Sequence, residues 1–263
     1  MYLIDTHCHL DAAEFDVDRD AVASEAFAAG VRIVVPAVDR ANFNAVKQVC
    51  ARYPSCAAAY GIHPMVVAHA QPEDLQVLRE IIKQEKSVAV GEIGLDFFVE
   101  GFDPVLQEFY FVEQLKIARD FDLPVLLHIR RAQDTILKHL RRIKVRGGIA
   151  HAFNGSRQQA DEFLKLGFKL GFGGAMTYPR ALRIRELAAT LPEDAIVLET
   201  DAPDIPPEWL AGKRNAPAEL PRIAATLAEL RSMSIESVAR MTSQNSLGVL
   251  PRLEALFGAG SMA

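Results

Sequence analysis

Tyr2-Leu3-Ile4-Asp5-Thr6-His7-Cys8-His9 is an apolar run of strand length that passes straight into two histidines. The same form recurs along the chain. Val125–Leu127 closes on His128, Gly148–Ala150 on His151, and Ile196–Leu198 on Glu199-Thr200-Asp201. Val31–Pro36, Ala57–Ile62, Val88–Val90 and Phe168–Phe172 complete a set of eight such runs. They are continuously apolar rather than alternating, as strands covered on both faces are. Helical patterns lie between them. Val105–Phe121 carries Leu106, Phe109, Val112, Leu115 and Ile117 at near-helical spacing. Ser156–Leu166 opens with Ser156 and, three residues on, Gln159, the spacing of a capping box. Pro217–Leu230 has its proline near the first turn. Strand-like runs each followed by a helix predict an α/β fold, a (β/α)8 TIM barrel, with residues 1–263 forming a single domain. A doubly wound sheet would show the same alternation. The first βα turn, however, lacks the Gly-x-Gly-x-x-Gly of a dinucleotide fold.

Composition narrows the classes. Of 263 residues, 50% are hydrophobic and 24% charged, with a net charge of −5. A chain this long buries roughly three quarters of its unfolded surface and needs no disulfide or metal to fold. Its slight acidity speaks against a basic protein that coats nucleic acid, but not against a nucleic-acid substrate gripped through metal. Cys8, Cys50 and Cys56 are odd in number and lack zinc-ribbon spacing, which points to a reducing compartment. There is no leader-like start, and no apolar run approaches the roughly twenty residues of a membrane span. The expectation is a cytoplasmic protein with no membrane association and no obligate protein partner.

The polar residues that end the strands carry the chemistry. In a barrel, the C-terminal ends of the strands surround one mouth. Of seven histidines, His7, His9, His63, His128 and His151 fall at predicted strand ends. Such positions are roughly a tenth of a barrel, so chance would place about one there. His69 and His139 fall in a loop and on a helix, and read as solvated or locally bonded. His7 and His9 are i and i+2 of an extended segment and share a side, which turns Cys8 into the packing. Glu92 and Asp201 are carboxylates at the ends of buried strands, costly unless paired or bound to metal. His7, His9, Glu92, His128, His151 and Asp201 together predict a metal centre. Imidazole with carboxylate suits Zn, Mn, Fe or Co, and Mg where carboxylates and water dominate. Six ligands exceed the needs of one tetrahedral ion and fit two divalent ions about 3.5–4 Å apart. A bridge between them must be an anion with two oxygens, and Glu92 suits that position.

Asp5-Thr6-His7-Cys8-His9, Gly61-Ile62-His63-Pro64, Gly91-Glu92-Ile93-Gly94-Leu95-Asp96, Leu127-His128, His151-Ala152-Phe153-Asn154-Gly155 and Glu199-Thr200-Asp201-Ala202-Pro203 together resemble the TatD family of metal-dependent deoxyribonucleases, in the amidohydrolase superfamily. The motifs run in order from Asp5 to Asn245, and Gly173–Arg180 is most similar to the YjjV branch. The resemblance implies a binuclear hydrolase. His7, His9 and Asp201 would hold one ion and His128 and His151 the other, with Glu92 between. Ile129, Ala152, Asn154 and Asn215-Ala216-Pro217 depart from the family's usual residues. None is a ligand, but all line the mouth and so bear on the substrate.

Asp201 can ligate an ion and also take the proton of an attacking water, which makes it the candidate catalytic residue. The ions would supply hydroxide near neutral pH by lowering the pKa of water. A phosphodiester also wants donors for its free oxygens. Candidates are His63, Arg130 and the backbone amides of Asn154-Gly155-Ser156 at a helix start. Gly173-Gly174 would allow close backbone approach to a ligand. The loop Asp201–Pro217 carries Pro203, Pro206, Pro207 and Trp209 and is long for a βα connection. It reads either as a lid on which a base stacks or as a packed cap. The expected function is a metal-dependent phosphodiesterase cleaving DNA from its ends, with DNA or another phosphodiester as partner. A hydrolase of a small ester, amide or lactone is the alternative, favoured mildly by the low positive charge. A non-catalytic metal-binding protein is the third, disfavoured because Glu92 and Asp201 are both present.

Overall fold

Eight parallel strands alternate with helices in a computed structural model of the chain, which describes residues 2–257. The strands are β1 Leu3–Asp5, β2 Val31–Pro36, β3 Cys56–Ala59, β4 Val90–Asp96, β5 Val125–Arg130, β6 Gly148–Ala150, β7 Phe168–Phe172 and β8 Ile196–Leu198. The helices are α1 Arg19–Ala28, α2 Phe43–Arg52, α3 Pro72–Gln84, α4 Pro104–Asp120, α5 Gln133–Arg142, α6 Arg157–Lys165, α7 Leu182–Thr190, α8 Leu220–Arg231, α9 Ile235–Val249 and α10 Arg252–Phe257. Continuous parallel ladders join β1-β2-β3 and β4-β5-β6-β7-β8. Two seams complete the ring. Tyr60 bridges to Val90, with Gly91 N donating to Tyr60 O at 2.9 Å. At the other seam Thr6 N donates to Leu198 O at 3.0 Å. The fold is the expected TIM barrel.

Strand periodicity sets what lies inside. Ile4, Val34, Leu126, Ile149 and Val197 form one buried cluster with Val249, Leu250, Leu253 and Phe257, so α9 and α10 plug the N-terminal end of the barrel. Their strand neighbours Leu3, Ile33, Val35, Val125, Leu127, Ile196 and Leu198 belong to the larger cluster packed under the outer helices. Residues two apart in a strand share a face. Leu126 is therefore followed on the inner face by His128, Ile149 by His151, and Val197 by Glu199. An apolar layer gives way to a polar one toward the mouth.

The helix starts follow the expected chemistry. Ser156 accepts from Gln159 N, and the Gln159 side chain answers on Ser156 N, a reciprocal cap for α6. Asp103 accepts from Val105 N at 2.8 Å at the head of α4, with Pro104 in the first turn. The predicted helix from Pro217 begins as a 3-10 turn over Pro217–Glu219 before α8. The largest boundary difference is β4, expected over Val88–Val90 and found to run on to Asp96. Glycines and carboxylates interrupt its apolar pattern, so Glu92 lies inside a strand rather than at its end. Gly94 makes this extension possible. A β-carbon there would stand 2.0 Å from the His128 carbonyl oxygen, against which β4 pairs. Among the described residues no helix is long and apolar enough to cross a membrane.

Candidate metal centre

Barrel closure brings the two ends of the sequence together. Asp5 is fully buried, and its carboxylate accepts from Thr200 N at 2.9 Å, from Thr200 Oγ1 at 2.6 Å and from His7 N at 3.3 Å. This ties the strand-one turn to the strand-eight turn. Asp201 itself sits at a positive φ of 58°, a conformation that costs a non-glycine residue about 1 kcal/mol or more.

Four donor atoms then face one another. His7 Nε2 lies 3.3 Å from His9 Nε2 and 3.1 Å from Glu92 Oε2. His9 Nε2 lies 3.6 Å from the same Glu92 oxygen. Asp201 Oδ1 stands 3.8 Å from His7 Nε2 and 3.9 Å from His9 Nε2. A tetrahedral zinc with bonds of about 2.1 Å holds its ligand atoms roughly 3.4 Å apart. The spacing therefore fits one such cation at this nest. His151 adds to the same side: its ring stacks on that of His7 at 3.8 Å, and its Nε2 is 3.6 Å from Asp201 Oδ1.

The other oxygen of Glu92 serves a second nest. Glu92 Oε1 is 2.9 Å from His128 Nδ1 and 3.4 Å from His63 Nε2, with the two imidazole rings 4.3 Å apart. The groups able to share an ion are thus His7-His9-Asp201, His7-Glu92-His151 and His63-Glu92-His128. This differs from the expected pairing of His128 with His151. It also moves His63 from a substrate donor into a donor nest. The register decides it: β3 and β4 are neighbours, so the turn after β3 delivers His63 beside Glu92.

The electrostatics fit a divalent cation. Burial alone would raise the Glu92 carboxyl, but the charges of His63 and His7 and the bond to His128 hold it well below its usual range. Burial pushes Asp201 up to about 6 against the pull of His151 and His9. Burial, with His151 close by, pushes His7 down to about 3. For His151, burial favours the neutral ring, but the charges of Glu199 and Asp201 outweigh it and raise the ring to about 10. Neighbouring imidazoles are driven in opposite directions, because burial and a like neighbour win at His7 while nearby carboxylates win at His151. His7 Nδ1 and His9 Nδ1 have no hydrogen-bond partner although they are buried. Packed imidazoles and carboxylates of this kind are stable together when a cation takes the place of the protons.

Two carboxylates that strand-end reasoning left unassigned complete the surroundings. Asp96 Oδ2 lies 3.0 Å from His128 Nε2, so this ring is held between Asp96 and Glu92. Glu199 Oε1 accepts from Ala152 N at 2.6 Å and stands 3.1 Å from His151 Nδ1, at an angle too bent for a full hydrogen bond. Both residues close buried strands, and the cost argument applied to Glu92 applies to them equally.

The remaining expected contacts divide. Arg130 ends β5 at the mouth, half exposed, 3.5 Å from Asp96. The Ser156 amide is used by Gln159 inside the helix cap and is not free for a phosphate. A β-carbon on Gly174 would stand 2.2 Å from Ile205 O, so this glycine admits the loop after β8 rather than a ligand. That loop is a packed cap. Asn215 Nδ2 donates to Thr200 O at 2.9 Å and to Asp204 O at 3.0 Å. Trp209 Nε1 donates to Glu219 at 2.7 Å, with the Arg222 guanidinium 4.0 Å over its ring.

Comparison with known proteins adds relatives. The family model described as TatD related DNase matches residues 4–251. The uncharacterized metal-dependent hydrolase YjjV of Escherichia coli strain K12 is 42% identical over 249 residues, 92% of this chain and 95% of that one. The 3'-5' ssDNA/RNA exonuclease TatD of Escherichia fergusonii is 32% identical over 251 residues, 92% of this chain and 96% of that one. The crystal structure of E. coli YjjV superposes with a TM-score of 0.90 at 41% identity, over 95% of this chain and 98% of that one.

Proposed function

Because the chain belongs to the TatD family and is a metal-dependent hydrolase, we propose that it is a binuclear phosphodiesterase that cleaves DNA from an end. The observation that carries the reading is the split carboxylate of Glu92. Its Oε2 faces His7 and His9 and its Oε1 faces His63 and His128, which is what a bridge between two cations requires. His7, His9, Asp201 and His151 would hold one ion, and His63 and His128 the other. Bound there, zinc, manganese, iron, cobalt or magnesium supplies charge for the phosphoryl oxygens and acidifies water.

The chain's own residues do the rest. Asp201 Oδ1 faces the donors, and its other oxygen takes the proton of the attacking water. Asp96 and Glu92 fix the ring of His128 from both sides. Arg130 donates to a free phosphate oxygen at the rim. The exonuclease named among the relatives supports single-stranded nucleic acid as the substrate class. Three free thiols, two of them buried, suit a reducing, cytoplasmic setting.

The test is cleavage of end-labelled single-stranded DNA beside p-nitrophenyl acetate, after chelation and stepwise return of metal. DNA cleavage that returns at about two ions per chain is the expected result. Ester hydrolysis without DNA cleavage would leave a metal-dependent hydrolase of another substrate class.

A further inference from the structure

Beside the metal centre, on the rim formed by the ends of β4 and β5, two guanidinium groups share one aromatic ring. The Arg130 guanidinium carbon is 4.2 Å from the centroid of Phe98, and that of Arg131 is 4.6 Å from it. Phe98 is 46% exposed, so its ring is open to solvent and to the two guanidinium groups. Consecutive residues of an extended strand point to opposite faces, so Arg131 would ordinarily turn away from Arg130. It does not, because the chain leaves β5 at Arg131 through a positive φ of 53°. A non-glycine residue held in that region is strained, and such strain is commonly found at ligand-holding positions. Here it brings both guanidinium groups within 4.6 Å of one ring centroid. Arg130 has one partly compensating neighbour, Asp96, at 3.5 Å. Among the described residues the Arg131 guanidinium has no carboxylate or hydrogen-bond partner. Asp96 in turn spends the same Oδ2 on His128 Nε2 at 3.0 Å, so the arginine pair lies one residue away from the metal centre.

We infer that Arg130 and Arg131, held together by the Phe98 ring, form an anion subsite that takes the backbone phosphate next to the scissile one in a single-stranded nucleic acid. The inference rests on the phosphodiesterase reading and names how that site grips more than one nucleotide. It also gives a chain of net charge −5 a local pair of cations at the rim that can meet a nucleic-acid substrate. Phe98 is the positioning residue and the two arginines make the contact.

The experiment is fluorescence anisotropy of 5'-labelled hexathymidylate with the full metal-loaded chain, wild type and every variant alike carrying Asp201→Asn in addition, so that the site keeps its metal and binding is read without turnover. Arg131→Gln is expected to weaken binding by about tenfold and to lower the salt slope by about 0.7, the loss of one single-strand phosphate contact. Phe98→Leu keeps both charges but frees them, so it is expected to weaken binding severalfold while the slope stays near that of the wild type. Arg131→Lys is expected to recover the slope and part of the affinity. Neutral methylphosphonate linkages scanned one at a time along the hexamer locate the phosphate: one position should weaken the wild type and not Arg131→Gln. Equal affinity and slope for wild type and Arg131→Gln overturn the subsite, as does a wild type that does not bind the hexamer. Cleavage of the same hexamer is read separately, with Asp201 in place. Binding that depends on Arg131 without any cleavage keeps the subsite and removes the phosphodiesterase reading. Cleavage with no dependence on Arg131 does the reverse.

Discussion

Gly171 on β7 offers a sharp test of how the polar layer is packed. A β-carbon at that position would stand 2.1 Å from Glu199 Oε2, 2.7 Å from its Cδ and 3.0 Å from Oε1. Glu199 is held in place: it is 1% exposed, and Oε1 accepts from Ala152 N at 2.6 Å. Gly171→Ala must therefore push the carboxylate off its partners. Overpacking a core costs about 1–3 kcal/mol, and losing a hydrogen bond to a charged group about 1.5–3 kcal/mol. Together the variant should lose roughly 3–5 kcal/mol, or on the order of 10 °C in Tm for a chain of this size. Circular dichroism melting reads the stability. Activity should fall as well, because His151 loses the group beside its Nδ1. The control is the same change on a Glu199→Ala background, where the new methyl group enters vacated space and should cost under about 1 kcal/mol. An equal loss in both backgrounds would refute the reasoning, since the clash would then not be with Glu199.

Other expectations follow from single observations. Gly248 is exposed on α9 with nothing within 4 Å of a built β-carbon, so Gly248→Ala should gain about 0.5–1 kcal/mol from helix propensity, read as a small rise in Tm; a fall would mean the glycine has a role the structure does not reveal. Asp201→Asn keeps the shape but cannot accept a proton, so it should retain most of its metal by elemental analysis and lose about 10²-fold or more in kcat, with KM moving less; near-normal kcat would remove Asp201 as the base. His128→Ala should reduce bound metal from about two ions to about one, since the nest on Glu92 Oε2 does not use it; unchanged stoichiometry would make His128 a packing residue. Burial pushes the Cys56 thiol up to about 12 and raises Cys8 and Cys50 well above the usual range, so a thiol reagent at pH 8 should react slowly with the folded chain and promptly with all three cysteines in denaturant. Prompt reaction in the folded state would contradict the packing.

Several parts of this protein could be read locally because their causes are local. An apolar run buried on both faces looks the same wherever it lies, and the order of such runs with helices between them decided the barrel. The cost of a carboxylate at a buried strand end is also local, and it singled out Glu92 and Asp201; applied evenly, it would have found Asp96 and Glu199 too. The cap at Ser156 depends on four consecutive residues and was legible for that reason. The division of the donors was not. His63 stands beside His128 and Glu92 because β3 and β4 are neighbours in the ring, and His151 stacks on His7 because barrel closure brings their strands' ends to one mouth. Those distances are set by register and by seams between residues up to 195 positions apart, such as Asp5 with Thr200. The rim arginines show the same limit at short range. Strand alternation alone would send Arg131 away from Arg130, and only the backbone turn at Arg131, held by its surroundings against an unfavourable φ, puts both charges on Phe98.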